Sequence, residues 1–396
     1  MFTCNPSSKL CGSFILLTFR SQNTLCNQVN VCRFISSKAM RHRLPSSSPK
    51  PAPFPYKEKN YNFIRALFDP TTSRLDDNSK IIVVEGLPTA GKGALAKRLA
   101  DELDMLYIPS PTVASTYIND YGYDLKTLDG KLPPSCQSYD EIDFLKDPLR
   151  MSGSKAGRFQ LTKYQLRYKR YLEALAHVLN TGQGVVMDRS PHSDFVYAEA
   201  MFQQGFINKN MQNIYNEVRT DSLFALWKPH LVIYLDLPAE QVRRRIEERN
   251  VSYEKNSPAT SLNYLKTLEN TYKKQYLKDI SIHAEVLIYD WTEVGDTEIL
   301  VEDIERLDFD QYTVYDKKME DWRRVDKWDW NISRHKYLFI FLILLRFCPS
   351  TWCPEILIPS VDMHCYTKIL NETPGSKYAK GFNADMGDKG LLFKLS

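Results

Sequence analysis

A glycine-rich loop between a short apolar run and a helical pattern is the feature that most constrains this 396-residue chain. The loop reads Gly86-Leu87-Pro88-Thr89-Ala90-Gly91-Lys92 and follows the apolar residues 81–84. This is the G-x-x-x-x-G-K pattern of a phosphate-binding loop in the strand-loop-helix context that it requires. Glycines let backbone N–H groups turn toward a phosphate, and the N-terminus of the helix adds a partial positive charge. The sequence therefore predicts phosphate binding by Gly86, Gly91 and Lys92.

The next position is Gly93, where a serine or threonine ordinarily offers a hydroxyl to Mg²⁺. Gly93 leaves the backbone of the loop free to bind phosphate, but it weakens the metal site that phosphoryl transfer needs. Phosphate binding and phosphoryl transfer are therefore separate questions for this chain. A glycine-rich turn with a chance lysine is the alternative interpretation.

Five short apolar runs without alternation predict buried strands, at residues 81–84, 105–108, 184–187, 231–235 and 285–289. Helical patterns separate them, at residues 91–103, 160–180, 194–204, 208–226, 239–249, 262–279 and 297–307. Strands that alternate with helices imply an α/β fold, with a five-stranded parallel sheet and helices on both faces.

The positive charge of the chain is concentrated at its N-terminus. Residues 1–57 contain eight Lys or Arg and no Asp or Glu, so the net charge of +4 becomes −4 for the rest of the chain. A basic, acid-free, Ser-rich start predicts a mitochondrial transit peptide over residues 1–35, with cleavage near Ser36. A secretory signal built on the short apolar stretch 14–17 is the alternative.

The segments outside the predicted sheet differ in composition. Residues 36–57 form a basic linker rich in Pro and Ser, so we expect the folded part to begin near Phe54 and the main domain to span 58–309. Residues 310–396 are predicted to form an irregular extension for protein contacts, since aromatic residues are favoured at buried interfaces. The apolar run 337–345 is too short to cross a bilayer, and burial against the core or a partner is the favoured interpretation. Translated intron sequence over 337–365 is the alternative.

Residues 80–307 resemble the deoxyribonucleoside kinases, a P-loop kinase family with a five-stranded parallel sheet. The matching residues, besides the loop, are Phe159-Gln160, Asp188-Arg189-Ser190 and Arg243-Arg244-Arg245. The resemblance implies that Gln160 pairs with the base of a nucleoside and that Asp188 and Arg189 line the reaction centre, with Asp188 as a weak metal candidate. It also implies a lid over the phosphates that includes Arg245 and Arg249. The alternatives are that Gln160 is an exposed helix residue, that Asp188 caps the next helix, and that the arginines lie on a solvated helix face.

Active members of the family have a Glu-Pro after the second strand, and its carboxylate is the general base for the sugar hydroxyl. This chain has Ser110 there, followed by Pro111. A serine has no usable pKa near 7, and loss of a general base costs about 10²- to 10⁴-fold in rate. Together with Gly93, the resemblance therefore implies no working catalytic residue, with Asp188 and Arg189 as remnants.

The match is closer to a degenerate branch of the family, the kinase-like accessory subunits of mitochondrial respiratory complex I, of the alpha subcomplex subunit 10 type. The segments that match are 181–186, 193–196, 199–201, 204–207, 229–234, 374–378, 381–383 and 387–389. This resemblance implies a non-catalytic subunit on the matrix side of the inner membrane, peripheral and without a transmembrane helix, whose partners are other complex I subunits. An active mitochondrial deoxyribonucleoside kinase that uses ATP-Mg²⁺ on a nucleoside 5′-hydroxyl is the alternative.

Other functions are disfavoured by the residues themselves. The acidic body lacks a basic face interleaved with aromatic residues, which argues against nucleic acid binding. The chain has no Cys set for an iron–sulfur cluster and no G-x-G-x-x-G fingerprint, so we expect no metal cluster and no electron transfer. For loop residues 86–91 we expect at most weak, metal-insensitive binding of an adenine nucleotide, either ATP-like or flavin adenine dinucleotide.

Overall fold

The structure, a computed structural model, describes residues 34–41, 51–151, 153–313, 315–339 and 356–390. The predicted transit peptide up to residue 33, linker residues 42–50 and apolar residues 340–345 lie outside this part of the chain.

Five parallel strands form one sheet in the order β2-β3-β1-β4-β5. They are β1 (Ile81–Gly86), β2 (Leu106–Ile108), β3 (Val185–Asp188), β4 (Leu231–Asp236) and β5 (Glu285–Asp290). Every residue of β1 is buried, and Val84 is in register with Asp188 of β3 and Ile233 of β4. The carboxyl ends of parallel strands lie at one edge, so the loop after β1 meets the residues that follow β3. The predicted α/β fold with a five-stranded parallel sheet is confirmed.

Helices cover this sheet. In the described residues they are α1 (Lys38–Arg41), α2 (Phe63–Phe68), α3 (Lys92–Leu103), α4 (Glu141–Lys146), α5 (Ser154–Thr181), α6 (Phe195–Gln203), α7 (Lys209–Leu223), α8 (Ala239–Arg249), α9 (Ser252–Lys255), α10 (Leu262–Thr271), α11 (Leu277–Ser281), α12 (Thr297–Glu305), α13 (Lys327–Phe339) and α14 (Ser360–Asn371).

Two helices differ from the prediction in ways that affect the site. Helix α5 begins six residues before the predicted start, because Gly153 adopts a left-handed conformation (φ 81°) at its N-cap. The predicted helix 262–279 is instead α10 and α11 joined by a π-helical turn, Tyr272–Tyr276. Such turns insert an extra residue and redirect the side chains around it. Here the turn brings the Tyr272 hydroxyl within 3.2 Å of a Glu85 carboxylate oxygen.

The folded part begins before Phe54, which differs from the prediction. Ile35 is only 1% exposed and belongs to the main core. The Ser36 N–H donates to the Asn78 side-chain oxygen (2.9 Å), and the Arg41 guanidinium donates to the Leu103 carbonyl (2.8 Å). One buried aliphatic side chain and a few matched hydrogen bonds hold this segment, and composition alone reveals neither.

The described part of the C-terminal extension includes the helices α13 and α14, so it is not irregular throughout. Trp322 and Trp330 pack edge-on against Trp227, with ring centroids 4.8 and 5.6 Å away. Tyr337, at the start of the apolar run, is buried, and its hydroxyl donates to the Ala225 carbonyl (3.0 Å). Among the described residues, no helix is both long and apolar enough to span a membrane.

Candidate nucleotide site

The glycine-rich loop joins β1 to α3 at the carboxyl edge of the sheet, as its pattern predicts. Gly86 has φ 144°, and a Cβ there would lie 2.8 Å from the Leu235 carbonyl oxygen, so β4 leaves no room for a side chain. Gly91 has φ 74° and forms the N-cap of α3 without a side-chain cap. Both glycines are therefore required by backbone geometry, and the first N–H groups of α3 face the loop.

Lys92 contacts its own loop. Its Nζ donates to the Leu87 carbonyl at 2.7 Å, and the residue is only 7% exposed. Burial, together with the nearby Arg189 guanidinium, lowers the pKa of Lys92 to about 7, although Asp188 opposes this shift. The amine is therefore only about half protonated at neutral pH. A phosphate would have to displace the carbonyl and draw a proton onto the amine.

Gly93, where a magnesium-binding hydroxyl is expected, lies close to Tyr107 and Asp188. A Cβ at Gly93 would lie 3.2 Å from the Tyr107 hydroxyl oxygen and 3.5 Å from a carboxylate oxygen of Asp188. A serine hydroxyl at this position would therefore meet a phenol. Asp188 Oδ1 is buried without a hydrogen-bond partner. In the described residues no group of three His, Cys, Asp or Glu side chains could hold a metal ion. One carboxylate without the loop hydroxyl does not fit the magnesium site of a phosphoryl-transfer enzyme.

Glu85 and Arg189 form the wall of the site beside the loop. Glu85 is fully buried and accepts hydrogen bonds from the Ser193 hydroxyl (2.6 Å) and the Ser190 N–H (3.1 Å). Burial raises the pKa of Glu85. Arg189 has a left-handed backbone (φ 65°), and its guanidinium lies over the Tyr197 ring, 4.6 Å from the centroid. Such strain at a non-glycine residue is found where the surroundings fix a functional side chain.

A buried polar cluster lies at the other end of the site. Asp194 accepts hydrogen bonds from the Gln160 amide (2.7 Å) and the Tyr215 hydroxyl (2.7 Å), and it forms an ion pair with Arg167. Gln160 is therefore a buried residue of α5 rather than an exposed one. The sequence analysis missed Arg167 and Asp194. The spacing offered one signal, because Arg167 follows Gln160 by seven residues and so lies on the same face two turns along.

A cavity of about 270 Å³ connects these two ends. Phe144 and Phe159 stack at one side of it, with ring centroids 5.2 Å apart. Gln160 and Arg167 line it at the buried end, and Pro88 lines it at the loop end. Flat apolar walls with a few fixed polar groups are typical of small-molecule sites.

The two lid candidates differ. The Arg245 guanidinium donates to the carbonyls of Thr292 (2.8 Å) and Thr89 (3.4 Å), so it ties the loop to the segment after β5. Arg249 lines the cavity and pairs with Glu254 (3.1 Å). Only Arg249 is therefore placed on the wall of the cavity.

One carboxylate, Glu141, lies in the region of Ser110, where the general base is missing, but it already has hydrogen-bond donors. Ser110 is half-buried, and the carbonyl of the next residue, Pro111, accepts from Lys163 Nζ (2.8 Å). Lys163 also pairs with Glu141 (2.7 Å), which lines the cavity and accepts from the Val113 N–H (2.7 Å). Burial opposes ionisation, but these donors hold the pKa of Glu141 below its usual range. Glu141 is therefore a weak base and does not replace the missing carboxylate.

Comparison with known proteins agrees with this geometry. The sequence model of the deoxynucleoside kinase family matches residues 82–325, so the chain belongs to the deoxynucleoside kinase family. It is 36% identical to the NADH dehydrogenase [ubiquinone] 1 alpha subcomplex subunit 10 of Mus musculus, with 84% of this chain and 90% of that protein covered. The same subunit of Bos taurus is 32% identical, covering 83% and 91%. A deoxyguanosine kinase of Dictyostelium discoideum is 30% identical, covering 63% and 77%.

Proposed function

We propose that this protein is a non-catalytic accessory subunit of mitochondrial respiratory complex I that keeps a kinase fold for assembly and stability and binds a nucleotide. The observation that supports this most is the contrast within one site. The cavity keeps a buried, hydrogen-bonded cluster of Gln160, Arg167 and Asp194, whereas the reaction centre lacks the general base and the loop hydroxyl. The names of the subunit relatives, matched over nine-tenths of their length, support the same assignment.

Two changes act on the chemical step. Ser110 stands where the base is needed, and Gly93 removes a magnesium ligand beside Tyr107. Phosphoryl transfer depends almost entirely on positioning and charge stabilisation, so these losses remove the main sources of its rate enhancement. Neither of them removes the backbone donors of the loop.

The ligand that we propose for the site is an adenine nucleotide, ATP-like or flavin adenine dinucleotide. Its base would lie near Gln160, beside Phe144 and Phe159, and its phosphates at the backbone N–H groups of the loop and at Lys92, with Arg249 beside the cavity. Affinity would be weak because the Lys92 amine must be protonated and released from the Leu87 carbonyl. Affinity would also be insensitive to Mg²⁺, since the metal ligands are incomplete.

The remaining parts of the proposal concern place and partners. The basic, acid-free N-terminus supports import into the mitochondrial matrix. We place the protein on the matrix side of the inner membrane, peripheral to it, with the extension 310–396 contacting other subunits of the complex. Protease protection of the protein in mitoplasts, followed by loss of that protection when the inner membrane is opened, tests this location.

A kinase assay tests the loss of catalysis. The purified full chain is incubated with labelled ATP, Mg²⁺ and each of the four deoxynucleosides, beside Lys92→Met and the surface control Lys97→Met. We expect the same background for all three proteins. Turnover in the ordinary kinase range of about 1–100 s⁻¹, abolished by Lys92→Met and kept by Lys97→Met, would instead establish the active kinase.

Native electrophoresis tests the partnership. Mitochondria that express the tagged full chain are solubilised gently, and the tag is located relative to NADH dehydrogenase activity in the gel. We expect the tag to migrate with that activity. Tagged protein found only at the size of the free chain overturns the assignment as a subunit.

A further inference from the structure

A second cavity, of about 280 Å³, lies apart from the loop, where α14 covers the segment between β2 and α5. Its walls are mostly apolar, and Leu128, Leu132, Met363 and Leu370 contribute to them. The ring of Phe159 separates it from the nucleotide cavity, since that side chain lines both. The C-terminal extension therefore completes a site that the kinase-like domain alone leaves open.

A buried lysine lies in the wall of this cavity. Lys155 is 3% exposed, and its Nζ donates to the backbone carbonyls of Gln137 (2.5 Å) and Ser135 (3.2 Å). Burial, with Arg158 and Arg150 nearby, lowers the pKa of Lys155 to about 8, so the amine is still mostly protonated at pH 7. The hydrogen-bond partners of this ammonium are neutral carbonyls, and Asp129 acts on its charge without forming an ion pair with it.

Arg158, one helical turn further along α5, adds a second positive charge to the same wall. Its guanidinium donates to the Ser135 carbonyl (2.8 Å) and the Ser154 hydroxyl (3.3 Å), and its Nε is buried without a partner. Within the described residues, neither Lys155 nor Arg158 forms an ion pair.

The two nearby carboxylates are engaged elsewhere. Asp129 accepts from the Ser138 N–H (2.8 Å) and from the hydroxyl of the same serine. Asp362, on α14, accepts from the Ser135 hydroxyl (2.5 Å). In the described residues the cavity therefore combines apolar walls with two cations that form no ion pair, although Asp129 also lines it.

We propose that this cavity binds a small amphipathic anion, a medium-chain carboxylate whose head meets Lys155 and Arg158 and whose chain lies along the leucine side chains. A carboxylate supplies acceptors to both cations, and each buried methylene adds apolar transfer free energy. The volume limits the chain to a short one, because sites for drug-sized ligands start at roughly 300 Å³. The proposal of an anion site does not depend on the proposal that the glycine-rich loop binds a nucleotide.

Calorimetric titration of octanoate into the purified full chain at pH 7 tests the site, with octan-1-ol and octylamine as controls of the same chain length. We expect saturable octanoate binding at least about tenfold tighter than that of octan-1-ol, because charged hydrogen bonds add to the apolar contribution. Octylamine should not bind measurably. Equal affinity for octanoate and octan-1-ol, or no saturable octanoate binding, overturns the proposal.

Variants locate the binding in this cavity. Lys155→Met and Arg158→Gln should each weaken octanoate binding about tenfold, and Leu370→Trp should weaken it by filling the space. The exposed Lys131→Met is the matched control and should leave the affinity unchanged. Lys155 also positions two backbone segments, so the half-buried Arg158 decides the question if Lys155→Met fails to fold. Octanoate affinity unchanged in both Arg158→Gln and Leu370→Trp refutes the assignment to this cavity.

Discussion

Raising the pH from 7 to 9 should weaken nucleotide binding strongly, because the loop lysine loses its proton in this range. Burial and Arg189 lower the pKa of Lys92 to about 7, against the opposing charges of Asp188 and Glu85. A bound phosphate favours the ammonium form, so binding takes up a proton whenever the free amine is neutral. Affinity is therefore constant well below pH 7, has fallen about twofold at pH 7 and continues to fall as the pH rises further.

The magnitude follows from the protonated fraction. With a pKa near 7, that fraction falls from about one half at pH 7 to about one hundredth at pH 9, so affinity should fall roughly 50-fold while the bound pKa stays above 9. A lysine with its ordinary pKa near 10.4 would leave affinity almost unchanged over this range.

Isothermal titration of ATP without Mg²⁺, in two buffers of different ionisation enthalpy, measures both affinity and proton uptake. We expect uptake of about half a proton at pH 7, rising toward one at pH 8. Lys92→Met should bind more weakly at pH 7 and show little change to pH 9. Saturable binding by the unmodified protein with a flat pH profile refutes the reasoning about Lys92, whereas no binding at any pH refutes the nucleotide proposal itself.

Three further predictions test other parts of the structure. The double variant Gly93→Ser, Tyr107→Phe should make the affinity for ATP depend on Mg²⁺ by about tenfold in calorimetry, because it restores the hydroxyl and removes the competing phenol. An ATP affinity that Mg²⁺ does not change in this variant would contradict the inference that Gly93 and Tyr107 prevent magnesium binding. Ile35→Ala should lower the free energy of unfolding in urea by about 2–4 kcal/mol, because it leaves a cavity in the core, whereas the exposed Met40→Ala should change it by less than about 0.5 kcal/mol; equal small effects would show that this segment does not pack. Arg334→Met should cost about 1–3 kcal/mol in the same assay, because this fully buried guanidinium donates to the buried Asn180 side-chain oxygen (2.6 Å), which then loses that donor, whereas Asp69 keeps its ion pair with Arg74 (2.7 Å); a loss below about 0.5 kcal/mol would contradict the importance of this hydrogen bond.

Local patterns were sufficient for the sheet and the loop. The five apolar runs predicted all five strands to within two residues at either end. The prediction of burial is confirmed for β1, β3 and β4, because a strand covered on both faces is continuously apolar, but it was wrong for the edge strand β5, which has no buried residue. Gly86 and Gly91 were predictable for a similar reason, since close approach and positive φ exclude side chains there. The π-helical turn at Tyr272–Tyr276 was not predictable, because its apolar periodicity matches that of an ordinary helix.

The sequence by itself determined the strand-loop-helix unit, the absence of a serine beside Lys92 and the absence of a glutamate at Ser110, since each is a matter of residue type at one position. Tertiary structure decided what those positions meet. It placed Tyr107 against Gly93, joined Arg167 and Asp194 to Gln160, and closed a second cavity with α14 over Lys155 and Arg158. These contacts join residues from well-separated elements, so no local pattern encodes them.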